Sequence, residues 1–128
     1  MAYNFLLVDD SSIVRKVLTR TFGMTKIPVT TFFEAANGKE ALEILHKEWI
    51  DLVFLDINMP VMDGLQFMEA LRADSEIKEM PVVVISTEGS AERRTRLEEL
   101  GVRAYLRKPA TPEAIITTVS EVLGGKHE

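Results

Sequence analysis

The stretch FLLVDD carries two neighbouring carboxylates, Asp9 and Asp10, straight out of an apolar run, and a third, Asp56, follows LVFL in the same manner. Ser86 and Thr87 follow VVVI, while Lys108 follows AYLR and precedes Pro109. Two carboxylates about 4 Å apart at an effective dielectric near 20 repel by about 4 kcal/mol, so such a cluster opposes folding unless something compensates it. Carboxylate oxygens and water are the ligands that hard Mg²⁺ or Mn²⁺ takes, and a divalent cation removes the conflict. A neutralised site of this kind lets a carboxylate attack phosphorus. Asp56 is the candidate nucleophile, its product an aspartyl phosphate. Lys108 is a flexible point charge for one phosphoryl oxygen, and the Ser86 hydroxyl is a donor for another.

These residues share a site only if the apolar runs before them are parallel strands. Phe5 to Val8, Leu52 to Leu55 and Pro81 to Ile85 are short, continuous and partly β-branched, the pattern of strands buried on both faces. Val29 to Phe33 and Ala104 to Arg107 are two weaker strands. Helical spacing appears between them, in Ile13, Val14, Val17, Leu18 and Phe22, in Ala41 to Leu45, and in Leu65, Phe67, Met68 and Leu71. Ala91 to Leu100 and Glu113 to Leu123 supply the last two helices. Asp10 or Ser11 can cap the first helix and Gly23 end it, Asn37-Gly38 opens the second, and Pro112 suits the first turn of the last. Strict alternation of strand and helix implies an α/β fold, a doubly wound parallel sheet of five strands. Ligands of such sheets bind beyond the carboxyl ends of the strands, where these polar residues lie.

A chain of 128 residues, 46% apolar, is sized for one domain, expected to span 1–128. Lys and Arg number 15 against 20 Asp and Glu, a formal charge of -5 without a basic block, so nucleic acid is not an expected partner. Cysteine is absent, which excludes a disulfide framework and thiolate metal sites. No apolar run approaches the ~18 residues of a membrane span, and the start lacks the pattern of a signal peptide, so the cytoplasm is the expected compartment.

LLVDDS, LVFLDINMPVMDG, VVVIST and YLRKP, in that order and spacing, resemble the receiver domain of bacterial two-component response regulators across essentially the whole chain. The resemblance implies a flavodoxin-like sheet of order 2-1-3-4-5 and a phosphoryl group passed to Asp56 from a histidine kinase. It also implies Mg²⁺ held by Asp9, Asp56 and the backbone carbonyl of Asn58, with Asp10 acting through water, and a cis Lys108-Pro109 bond. Either hydroxyl, Ser86 or Thr87, could point inward on the residues alone; family position selects Ser86 as the switch residue, coupled to Tyr105. Asn58 and Glu88 are the family's modulators of dephosphorylation and are similar to those of the free-standing, chemotaxis-type (CheY-like) members. Ser86 stands where Thr is commoner, Thr87 where a small residue is usual, Ile57 where the enteric chemotaxis protein has an aromatic, and Ala110 where Phe is frequent.

The function so implied is a monomeric phosphorylation-controlled switch, not an enzyme beyond its own phosphorylation and dephosphorylation. Its output is an unidentified protein, the flagellar motor or another signalling component; the alternative is a phosphorelay shuttle returning the group to a histidine phosphotransfer protein. A haloacid-dehalogenase-type phosphatase would need a second acid where Asn58 stands, and a flavodoxin would not favour an acidic rim around a flavin phosphate. Simple readings hold elsewhere: Asp63-Gly64 as a turn into the third helix, His46 as a solvated residue, and Glu92-Arg93-Arg94-Thr95-Arg96 as an exposed helix face.

Overall fold

A computed structural model of the chain describes residues 2–87 and 91–124. Among them, strands and helices alternate: β1 (Tyr3–Val8), α1 (Ser12–Phe22), β2 (Val29–Ala35), α2 (Gly38–Lys47), β3 (Leu52–Leu55), α3 (Gly64–Ala73), β4 (Val82–Ser86), α4 (Ala91–Glu99), β5 (Ala104–Arg107) and α5 (Pro112–Leu123). The strands form one parallel sheet of order β2-β1-β3-β4-β5. This is the doubly wound sheet that the alternation implied, in the flavodoxin-like order that the resemblance implied. None of the helices among the described residues is long and apolar enough to cross a membrane.

Alternation along the central strands divides the core in two. Leu6, Val8, Val53, Leu55, Val82 and Val84 pack with Ala41 and Leu45 of α2, Phe67, Met68 and Leu71 of α3, and Leu97 of α4. Phe5, Leu7, Leu52, Phe54, Val83 and Ile85 face the other way, onto Phe22 of α1 and Ile115, Val119, Val122 and Leu123 of α5. Both faces being dry, the strands read as unbroken apolar runs. Rings of Phe5, Phe22, Phe32 and Phe54 meet at centroid separations of 5.2 to 6.3 Å on the α1/α5 side, in tilted and edge-on geometries that add to simple burial.

Local chemistry sets the helix starts. Ser11 accepts the Val14 N–H, Asn37 the Glu40 N–H and Thr111 the Ala114 N–H, each satisfying an otherwise orphaned donor. Asp63 and Gln66 form a reciprocal capping box at α3. Gly101 adopts φ +86° after α4, a conformation that a side chain disfavours.

Two features depart from the sequence reading. The apolar stripe of α1 is not all core, since Ile13 is 72% exposed and Val17 46%. His46 is not simply solvated: Nε2 lies 2.8 Å from Asp74 and Nδ1 3.2 Å from Glu76, tying the end of α2 to the turn after α3. Arg72, which carried no signal in the sequence, binds four main-chain carbonyls, those of Leu100, Lys78, Met80 and Gly101, at 2.6, 2.7, 2.8 and 3.2 Å. It thereby joins α3, the loop before β4 and the loop before β5.

Arg72→Met keeps the apolar stem and strips those carbonyls of their donor. It should lower stability by about 2 to 4 kcal/mol, as hydrogen bonds to a charged group are worth roughly 1.5 to 3 each. Denaturant unfolding would show this as a lower midpoint at unchanged slope; an unmoved midpoint would mean that water replaces the guanidinium without loss.

Candidate functional site

Val8 of β1 lies in register with Leu55 of β3, so the residues after them, Asp9 and Asp56, leave the sheet side by side. Parallel neighbours sit about 4.8 Å apart, so strand pairing itself forces the two carboxylates together. The Asp56 N–H donates to the Val8 carbonyl at 2.9 Å and the Asp9 N–H to that of Ala35 at 3.0 Å, extending the ladder past the formal strand ends. Carboxylate oxygens of Asp9, Asp10 and Asp56 lie within 4.8 Å of one another, with Asp9 and Asp56 buried and Asp10 exposed.

Lys108 arrives from the end of β5, where its N–H donates to the Ser86 carbonyl at 3.2 Å and its bond to Pro109 is cis. Its Nζ lies 2.6 Å from Asp9 Oδ2 and 3.4 Å from Asp56 Oδ1. The other Asp9 oxygen accepts the Ser11 N–H at 2.9 Å, so the residue that caps α1 also orients this acid. Arg15, which the sequence reading passed over, donates to the Asp9 main-chain carbonyl and pairs with Glu34 at 2.7 Å. One turn of helix separates it from Ser11, but nothing in the sequence shows which way it turns.

Burial pushes the Asp56 carboxyl above its ordinary 3.8; the Lys108 charge opposes this, Asp9 adds to it, and the Ile57 N–H also opposes it. Burial alone would lower the Lys108 ammonium, but its hydrogen bond to Asp9 and its attraction to both acids outweigh that and raise it above 10.5. One ammonium is thus shared by two buried acids.

The β3–α3 loop is held against the site by close packing. A Cβ on Gly64 would stand 2.7 Å from the Asp56 carbonyl oxygen and 2.8 Å from Ile57 Cα, so only glycine lets α3 approach this near. Val61 in the same loop has φ +69°, an unusual conformation for a β-branched residue. Ile57 is fully buried, whereas Asn58 is exposed and its Oδ1 accepts from Arg93 Nη1 of α4 at 2.7 Å. Asp63-Gly64 serves as the turn and cap that the simple reading gave it.

Ser86 is buried at the end of β4 and Thr87 is exposed. Thr87 lines a cavity of about 310 Å³ together with Asp9, Asp56 and Lys108, and with Ile13 and Val17 of α1. The half-exposed α1 stripe therefore borders the acids. Tyr105 of β5 is half-buried against the core beneath Arg94, whose Cζ lies 4.7 Å from the ring centroid. Glu88 lies outside the described residues.

Oxygen donors alone, two of them buried, are the set that suits Mg²⁺ or Mn²⁺, and the absence of nitrogen and sulfur ligands disfavours softer metals. The second cluster among the described residues, His46, Asp74 and Glu76, puts its carboxylates on opposite ring nitrogens, 2.8 and 3.2 Å away.

At pH 7 without added metal, Asp56→Asn should melt above the unsubstituted protein, by on the order of 1 kcal/mol or about 3 to 6 °C. Because the folded-state carboxyl sits above 3.8, the folded protein gains stability as pH falls through that raised value. The excess of Asp56→Asn should therefore be full near neutrality and shrink in acid, as melting curves across pH would show. A constant difference would mean that Asp56 is not strained by its surroundings.

Residues 5–120 match the family model for the response regulator receiver domain. The chain is 34% identical over 120 residues to the chemotaxis protein CheY homolog of Campylobacter jejuni, covering 93% of this chain and 91% of the relative. Identity to the chemotaxis protein CheY1 of Helicobacter pylori is 36% over 120 residues, covering 93% and 95%. Among solved structures, the chemotaxis response regulator CheY4 of Vibrio cholerae superposes with a TM-score of 0.79 at 35% identity, covering 96% of this chain and all of that one.

Proposed function

The chain belongs to the response regulator receiver family, and from that premise we propose that it is a phosphoacceptor switch in which Asp56 takes a phosphoryl group from a histidine kinase. CheY-like receiver domains are signalling switches, not classical enzymes. The observation that carries the proposal is the meeting of Asp9, Asp10, Asp56 and Lys108 beyond the carboxyl ends of β1, β3 and β5.

In the transfer, an Asp56 oxygen bonds to phosphorus as the bond from phosphorus to the donor imidazole breaks, the imidazole leaving with the electron pair. Lys108, already within 3.4 Å of the nucleophile, supplies positive charge for a phosphoryl oxygen. Asp9, Asp56 and the backbone carbonyl of Asn58 would hold Mg²⁺, with Asp10 acting through water. Bound there, the ion would neutralise charge on the phosphoryl oxygens.

Output follows from population arithmetic. Moving a two-state protein from 1:99 to 99:1 takes about 5.5 kcal/mol, and two or three charge-assisted hydrogen bonds of roughly 1.5 to 3 kcal/mol each supply it. The buried Ser86 hydroxyl is one donor, drawing the end of β4 toward phosphorus and relaying the shift to Tyr105. A face of α4, β5 and α5 then changes its affinity for a downstream protein. The relatives named for chemotaxis make a flagellar motor component one such target. A monomer in the cytoplasm is the proposed working form.

Acetyl phosphate with Mg²⁺ should label the protein once, and Asp56→Asn should abolish the labelling because an amide cannot form the acyl phosphate. Full labelling of that variant would place the acceptor elsewhere. Millimolar Mg²⁺ should raise the melting temperature, since a ligand bound only by the folded state stabilises it, and Asp9→Ala should remove the shift. A melting curve indifferent to Mg²⁺ would refute the metal assignment.

A further inference from the structure

Once Asp56 carries phosphorus, the signal lasts only until water reaches it. Hydrolysis joins a water oxygen to phosphorus as the bond to the Asp56 oxygen breaks; the carboxylate leaves with the electron pair, and the water's protons pass to inorganic phosphate and solvent. Asp56 is only 8% exposed, so the groups at its rim decide how water enters. Asn58 is one of them: Ile57 between the two turns wholly into the core, leaving Asp56 inside the site and Asn58 at its edge.

The Asn58 side chain is held from across the rim. Arg93 Nη1 donates to its Oδ1 at 2.7 Å, a bond that spans 35 positions and links the β3–α3 loop to the first turn of α4. That turn is itself anchored. Arg94 stacks over Tyr105 of β5 at 4.7 Å, and one turn on, Arg96 pairs with Glu69 of α3 at 3.4 Å and with Glu99 at 3.3 Å. Arg93 thus reaches Asn58 from a helix that also contacts β5 and α3.

We propose that Arg93 is a positioning residue that lengthens the life of the phosphoryl group, by holding the Asn58 side chain at the edge of the water path to Asp56. The inference rests on the phosphoacceptor reading above and adds to it a residue of α4. The bond goes to a neutral amide oxygen, whereas Asp9 and Asp56 are met by Lys108.

The test compares the unsubstituted protein with Arg93→Ala, Asn58→Ala and the double variant. Each is labelled with radioactive acetyl phosphate and Mg²⁺ and freed of donor, and the acyl phosphate is followed in time. Arg93→Ala should shorten the half-life about threefold to tenfold, and in the Asn58→Ala background the same change should alter it less than about twofold. An unchanged or longer half-life in Arg93→Ala overturns the inference, as does an equal effect in both backgrounds, while leaving Asp56 as acceptor intact. If the unsubstituted protein takes up no label, the phosphoacceptor reading falls and this inference with it.

Discussion

Two parallel strands in register end on acids, and the strain this creates shapes the rest of the site. The pairing of Val8 with Leu55 cannot be relaxed without breaking the centre of the sheet, so Asp9 and Asp56 stay close whatever their charge. Water would normally screen them, but both are buried. One lysine answers the conflict, and it stands nearer Asp9 at 2.6 Å than Asp56 at 3.4 Å. Burial pushes the Asp56 carboxyl toward its neutral form, and the Lys108 charge opposes that only in part. A site in this state gains from any further cation, and a phosphoryl group on Asp56, which would add negative charge, would raise that demand.

Much of this was legible in the sequence because it depends on strand ends. A run such as LVFL must be buried on both faces, its last residue must face the rim, and the residue type at the rim is read directly. The same logic found Lys108 and the order of the elements. What escaped were long cationic side chains, whose reach depends on loops brought near by the fold. Arg72 finds four carbonyls from two loops, Arg15 finds the main chain of Asp9, and Arg93 finds Asn58. In sequence each is one more helix-surface charge. The run Glu92 to Arg96 shows the cost of that reading: its arginines are exposed or half-buried, yet Arg93, Arg94 and Arg96 each contact a different element.

Periodicity misled in one place for a related reason. Ile13 and Val17 share a helical stripe with Leu18 and Phe22, but a stripe only shows which residues lie together on a helix. How far the neighbouring elements extend to cover them is set by the β5–α5 connection, and here Lys108, Pro109 and Ala110 leave a cavity. The result is apolar surface beside the acids.

The two sides of the rim are built from different interactions, and this decides which side can move. On the β3–α3 side, Gly64 lies against the Asp56 main chain with no room for a Cβ, Ile57 is fully buried, and Val61 is held at positive φ by the loop around it. Close packing of this kind yields only by opening voids or clashing, so it fixes the nucleophile. On the α4 side, the contacts are a hydrogen bond from Arg93, a ring contact from Arg94 and ion pairs from Arg96, while Leu97 is the helix's one fully buried side chain. Exposed polar contacts are each worth about 1 kcal/mol or less and exchange readily with water. Of the two sides, the one built on exposed polar contacts is therefore the one that gives way at lower cost, while Asp56 stays fixed by strand pairing and close packing.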